Sequence, residues 1–168
     1  MTSFFGSAAT ALNSWMGGAE DPVVELSQAI QTFQLAANGY TEIPNEVLHP
    51  HLKPCMLALM KIFNKGTIDE EKHFWVHLVQ FLGPDLVTIQ FISGWDNFPD
   101  EPGKAFAWVN LELSLKSLPQ SMKMIYDNRY LRRMYGPDAP LYTEFKLIIA
   151  NLETLVQIPY TINNSVRR

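Results

Sequence analysis

Apolar side chains recur along this chain at three- and four-residue intervals, in runs that Gly, Pro and Asn interrupt. That spacing is the signature of helices with one buried face. Residues 1–16 predict a first helix with Phe4, Phe5, Ala8, Leu12, Trp15 and Met16 on one side, stopped by Gly17-Gly18. Glu20-Asp21-Pro22 opens a second, with acidic charge at the positive end and Pro at a tolerated first-turn position. Its apolar stripe is Val23, Val24, Leu26, Ile30, Phe33 and Leu35, ending at Asn38-Gly39. After a polar loop through Pro44, residues 51–63 bury Leu52, Met56, Leu59, Met60 and Phe63.

Thr67-Ile68-Asp69-Glu70 has the form of a capping box, in which the hydroxyl and the Glu side chain each satisfy an orphan backbone N–H. It predicts a helix carrying Phe74, Trp75, Leu78, Phe81 and Leu82, stopped by Gly83-Pro84. Residues 85–95 are short, apolar and rich in β-branched side chains, which suits a strand, but their length and neighbours favour a buried short helix. Residues 96–103 read as an acidic loop. A long helix follows from Lys104 with Phe106, Trp108, Val109, Leu111, Leu113, Leu115 and Leu118 apolar, and Pro119 kinks or restarts it toward Met122, Ile125 and Tyr126. A short helix at 130–135, a Gly136-Pro137-Asp138 turn and a last helix at 141–158 complete the pattern. The expected fold is all-α, a single compact bundle of eight or nine helices. Residues 1–19 form an N-terminal amphipathic segment, 20–160 the helical domain and 161–168 a flexible, polar tail.

Composition changes this picture little. Of the 168 residues, 47% are hydrophobic and 18% charged, enough to build a core and too apolar for a disordered chain. No apolar run reaches the roughly 18–20 residues that span a bilayer. No early Lys or Arg marks a signal peptide. Cys55 is the only cysteine, so no internal disulfide forms, and its neighbours Pro54, Met56 and Leu57 suggest a buried thiol in a reducing, cytoplasmic setting.

Charge is divided unevenly. Residues 1–103 hold four basic residues, Lys53, Lys61, Lys65 and Lys72, against twelve acidic ones, a net of −8; residues 104–168 hold nine against five, a net of +4. The C-terminal part therefore offers positive charge to an acidic partner, unless the two halves neutralise each other in the fold. The chain as a whole is acidic, which argues against nucleic acid.

Three blocks of sequence have a family likeness. The stretch Ala107-Trp108-Val109-Asn110-Leu111-Glu112-Leu113-Ser114-Leu115-Lys116-Ser117-Leu118 resembles the central block of RUN domains. Asn128-Arg129-Tyr130-Leu131-Arg132-Arg133-Met134-Tyr135 with Gly136-Pro137-Asp138-Ala139 is similar to the short helix and turn that follow it. His73-Phe74-Trp75-Val76-His77-Leu78 is similar to an upstream aromatic step. The blocks stand in the family's order over roughly residues 22–160. The resemblance implies a RUN-like all-α domain that binds small GTPases of the Rab, Rap or Arf-like kinds, or motor and cytoskeletal proteins, in membrane trafficking. It implies no catalysis and no cofactor.

The partner-binding residues expected on this reading are Lys104, Lys116, Lys123, Arg129, Arg132 and Arg133. Arg supplies planar paired donors for carboxylates, and Tyr126, Tyr130 and Tyr135 lie between them as interface aromatics. A second reading makes the chain a peripheral membrane or lipid-binding protein on vesicles or organelles. Phe4, Phe5, Leu12, Trp15 and Met16 would insert, with no electrostatic attraction from the uncharged Ser/Thr/Asn face, unless the same helix docks on the domain and completes its core. His73 and His77, four residues apart with Glu70 one turn earlier, are the nearest thing to a metal site, but zinc needs further ligands and semi-buried packing is the better explanation, so no metal is expected. No phosphate loop or nucleophile elbow is present, and Glu70-Glu71 and Asp100-Glu101 sit where helix dipoles and solvent account for them.

Overall fold

A computed structural model describes residues 21–69, 73–94, 100–127 and 131–162. Among them are nine α-helices and no strand: α1 (Pro22–Ala37), α2 (Asn45–Asn64), α3 (Phe74–Leu82), α4 (Val87–Ser93), α5 (Glu101–Ser114), α6 (Leu118–Asp127), α7 (Leu131–Met134), α8 (Pro140–Thr143) and α9 (Phe145–Gln157). The fold is all-α. The first predicted helix, residues 1–16, and the tail beyond 162 lie outside the described residues.

α1 and α2 form an antiparallel hairpin, with Lys61 meeting Glu25 near one end and the His51 ring stacked on Phe33 near the other. Asp21 caps α1 by accepting from the Val23 N–H, and Pro22 takes the first position. The buried stripe is Val23, Leu26, Ile30, Phe33 and Ala37. Val24 and Leu35 face outward, contrary to expectation: Val24 is one residue, about 100°, past Val23, and Leu35 lies two residues, about 200°, from both Phe33 and Ala37, so each is rotated off the core face. α2 starts at Asn45, six residues earlier than the sequence suggests, and runs through Pro50 and Pro54. Both prolines are exposed, so the carbonyls that lose a helical donor face water and the helix survives.

α2 packs against α5, where Phe63 stacks on Phe74 at 4.8 Å and receives the Trp108 edge at 5.8 Å, with Trp75 at 6.2 Å from Trp108. The aromatic blocks that carry the RUN resemblance thus meet in the core. Cys55 is buried and its thiol donates to the His51 carbonyl; burial pushes its pKa up to about 12, which leaves it a protonated thiol at neutral pH.

Several boundaries differ from the sequence expectation for local reasons. α3 begins at Phe74, capped by His73, whose Nδ1 accepts from the Trp75 N–H; Thr67 takes no part in that cap. α4 is helical, but only Ile89 and Ile92 are buried, so it is half-exposed rather than sunk in the core. α5 starts at Glu101 because the Asp100 carboxylate accepts from the Gly103 N–H and Pro102 sits in the first turn.

The break between α5 and α6 does not come from Pro119, which fits the first turn of α6. It comes from Lys116, which adopts φ 57° while its N–H bonds the Leu113 carbonyl and the Ser117 N–H bonds the Glu112 carbonyl. That is a Schellman stop with Lys in the place usually given to Gly. The last predicted helix is likewise two, parted at Glu144, and the segment after it is not frayed up to Ile162. Tyr160 is buried with its hydroxyl on the Leu113 carbonyl at 2.7 Å.

Candidate functional site

The loop after α2 and the turn after α7 form a clip between distant parts of the chain. The Ile68 N–H donates to the Met134 carbonyl at 2.8 Å and the Gly136 N–H to the Gly66 carbonyl at 2.8 Å, with Thr67 and Tyr135 paired as an isolated antiparallel bridge. The Tyr135 hydroxyl donates to the Phe63 carbonyl, and burial raises its pKa. Tyr135 is therefore an internal fastener and not the surface aromatic the sequence suggests. The clip fixes α7, in which Leu131 and Met134 point into the core while Arg132 and Arg133 between them are exposed. Ile68, 57% exposed, stands beside them through its bond to Met134.

The other predicted cations are distributed differently. Lys104 Nζ donates to the Ser93 carbonyl at 3.0 Å and so ties α5 to the end of α4. Lys116 Nζ donates to the Ile158 carbonyl at 3.1 Å and lies 4.1 Å over the Tyr160 ring, which offsets the cost of its left-handed backbone. Lys123 pairs with Glu153 at 3.1 Å in the open. Tyr126 stacks on Phe145 at 3.8 Å, with its edge exposed. Arg129 and Tyr130 lie outside the described residues, as do Phe4, Phe5, Leu12, Trp15 and Met16.

A residue the sequence reading did not single out is the most unusual polar group of the interior. Glu112 is 1% exposed. Its Oε1 accepts from the hydroxyls of Ser117 and Ser121, each at 2.8 Å, and its Oε2 from Thr88 at 2.6 Å; Thr88 in turn accepts the Trp108 indole N–H at 2.9 Å. No cation takes part in these bonds. The cluster joins α4, α5 and α6 and satisfies every partner, the condition under which a buried polar network specifies one packing. A signal existed: Trp108, Val109, Glu112 and Leu113 share the spacing of one helix face, which places a carboxylate on the core side.

Among the described residues, no group of three or more His, Cys, Asp or Glu is placed to hold a metal ion. His73 spends Nδ1 on its cap, and His77 is buried, stacked on Phe81 at 6.5 Å with its Nε2 unpartnered. Glu70 lies outside the described residues. No helix among the described residues is long and apolar enough to cross a membrane. No protein-family model and no curated protein matches the chain.

The His73 cap predicts a pH dependence. Burial lowers its pKa from the ordinary 6.5, while Glu101 and Asp100 pull the other way and do not prevail. A base with a lowered folded pKa contributes stability above its unfolded pKa and loses it as pH falls through that value. Protonation also turns the Nδ1 acceptor into a donor at a helix N-terminus, where positive charge is unfavourable. Between about pH 7 and about pH 5 the melting midpoint should fall more steeply for the native chain than for His73→Asn, whose amide keeps an acceptor and does not titrate. Equal slopes would remove His73 as the cause.

Proposed function

We propose that this chain is a non-catalytic protein-recognition module of RUN-like design, acting in membrane trafficking. It binds an acidic surface of a small GTPase of the Rab, Rap or Arf-like kinds, or of a motor or cytoskeletal protein. The observation that carries the reading is α7: two adjacent exposed arginines, near the exposed Ile68, on a helical turn anchored at its C-terminal end by backbone bonds and by Tyr135. Arginine on a rigid support loses little freedom when it meets a carboxylate, and planar paired donors suit that partner. The sequence blocks resembling RUN domains supply the class of partner, and the net +4 of residues 104–168 supports the sign.

The test is capture by a panel of these GTPases, each loaded with GDP or with a non-hydrolysable GTP analogue. The native chain should be retained by at least one member in a nucleotide-dependent way. Arg132→Glu with Arg133→Glu should abolish retention while shifting stability by less than about 1 kcal/mol, as surface changes do. Retention of that folded double variant at the native level would sink the proposed site.

A further inference from the structure

The first 103 residues are strongly acidic, yet their few lysines are not scattered. Lys53, Lys61 and Lys65, three of the four, lie on or at the end of α2. Lys53, Leu57 and Lys61 follow one another at four-residue steps, so they form one outward ridge, all three exposed, with Leu57 at 46% in the middle. Beside this ridge runs an open groove of about 350 Å³ between α1 and α2, floored by Ala29, Ala58 and Pro54. A second concavity of about 480 Å³ continues from it along Met60 and Asn64 to Lys65, and Leu57 and Lys61 border both. Small side chains on the floor let a backbone approach closely. The distance from Lys53 to Lys65 is about 18 Å, three turns of helix.

We propose that this ridge and groove dock an acidic amphipathic helix of a partner protein, with apolar side chains seated over Ala29, Leu57 and Met60 and carboxylates on Lys53, Lys61 and Lys65. The carboxylate bordering the groove is Glu25, and it already pairs with Lys61 at 3.1 Å. That pair is solvated, Lys61 being 62% exposed, and contributes little, so Lys61 can exchange Glu25 for an incoming acid. One protruding Leu flanked by lysines, with an open groove beside it, offers a strip of apolar surface one side chain wide, which suits a single helix face; a bilayer would call for a broad apolar face. The surface shares no residue with α7, so it stands or falls apart from the reading above.

The probe is a designed 18-residue helix with Leu along one face and Glu on both flanks, titrated into the isotope-labelled full chain. Amide shifts should saturate and concentrate at Ala29, Thr32, Leu57, Met60 and Lys61. Binding should weaken at least tenfold in Lys61→Glu with Lys65→Glu, and likewise in Leu57→Glu; all three side chains are exposed, so the melt reports that the variants fold. The same peptide with Lys in place of Glu should not bind. Equal binding of the two peptides, shifts elsewhere, or unchanged affinity in the folded variants would overturn the proposal. So would binding to phosphatidylcholine–phosphatidylserine vesicles that Leu57→Glu removes, in the absence of peptide binding, since the surface would then be a lipid contact.

Discussion

Glu112→Ala is expected to destabilise the protein by about 3–5 kcal/mol, far beyond the cost of an ordinary surface substitution. The wild-type carboxylate is the acceptor for Thr88, Ser117 and Ser121, and through Thr88 it orients the hydroxyl that takes the Trp108 indole N–H. Truncation leaves three hydroxyl groups in or at the edge of the core without that acceptor, at about 1–3 kcal/mol for each that finds no other, together with a void beside Trp108. Glu112→Gln separates hydrogen bonding from volume. Its amide oxygen can replace Oε1 and serve both serines, but its NH₂ then points at Thr88 Oγ1, which already accepts from Trp108 and must find a new acceptor for its own proton. The amide substitution should therefore still cost about 1–2 kcal/mol although nothing changes in size. Denaturant titration reads both values. A Glu112→Gln variant as stable as the native chain would mean that the Thr88 bond carries no weight.

The second large effect is expected at Gly66. Its φ is +81°, and a Cβ there would lie 2.6 Å from the Ala139 Cβ and 2.8 Å from its Cα. Gly66→Ala thus adds a left-handed backbone cost of about 1–2 kcal/mol to a clash with main-chain atoms that no rotamer relieves. We expect a loss of about 3 kcal/mol or more in total, because the clip must open for the methyl to fit. Gly39 is the control, with φ +92° and nothing within 4 Å of the same position, so Gly39→Ala should cost only the backbone share, about 1–2 kcal/mol. On the proposed function, Gly66→Ala should also weaken partner capture by α7, though it alters no charge and sits more than sixty residues from Arg132 in sequence. A melt equal to that of Gly39→Ala would show that the Gly66–Ala139 approach is not a constraint.

The two substitutions mark the boundary of what local reasoning reaches. Helix class, the Pro22 start, the Gly83-Pro84 stop and most of the core stripe are written in spacing and caps, because each depends on neighbours within one turn. The capping box at Thr67 misleads for a complementary reason. Thr67 finds a stronger use in pairing with Tyr135, and His73 supplies the cap in its stead. The helix read from residue 51 onward starts at Asn45, and only the packed structure shows that Pro50 and Pro54 both lie on the solvent side, where the missing donors cost little.

Among the cations, sequence order groups Lys104, Lys116 and Lys123 with the arginines of α7. The fold turns Lys104 and Lys116 onto carbonyls and Lys123 onto Glu153, since an ammonium near a helix end finds the nearest uncompensated oxygen. The α2 ridge was hidden for the opposite reason. Its lysines sit in an acidic half, and net charge averages away a local stripe.

By itself, then, the chain determined that it folds as helices, which faces are apolar and where most turns fall, since these are settled by dihedral preference and periodicity over a few residues. Only the tertiary structure decided that Glu112 is an internal hub, that Tyr135 and Tyr160 are fasteners, and that Arg132 and Arg133 lie exposed on a helical turn beside the clip. Those outcomes depend on which donor meets which acceptor across dozens of residues, and that is fixed when the helices pack.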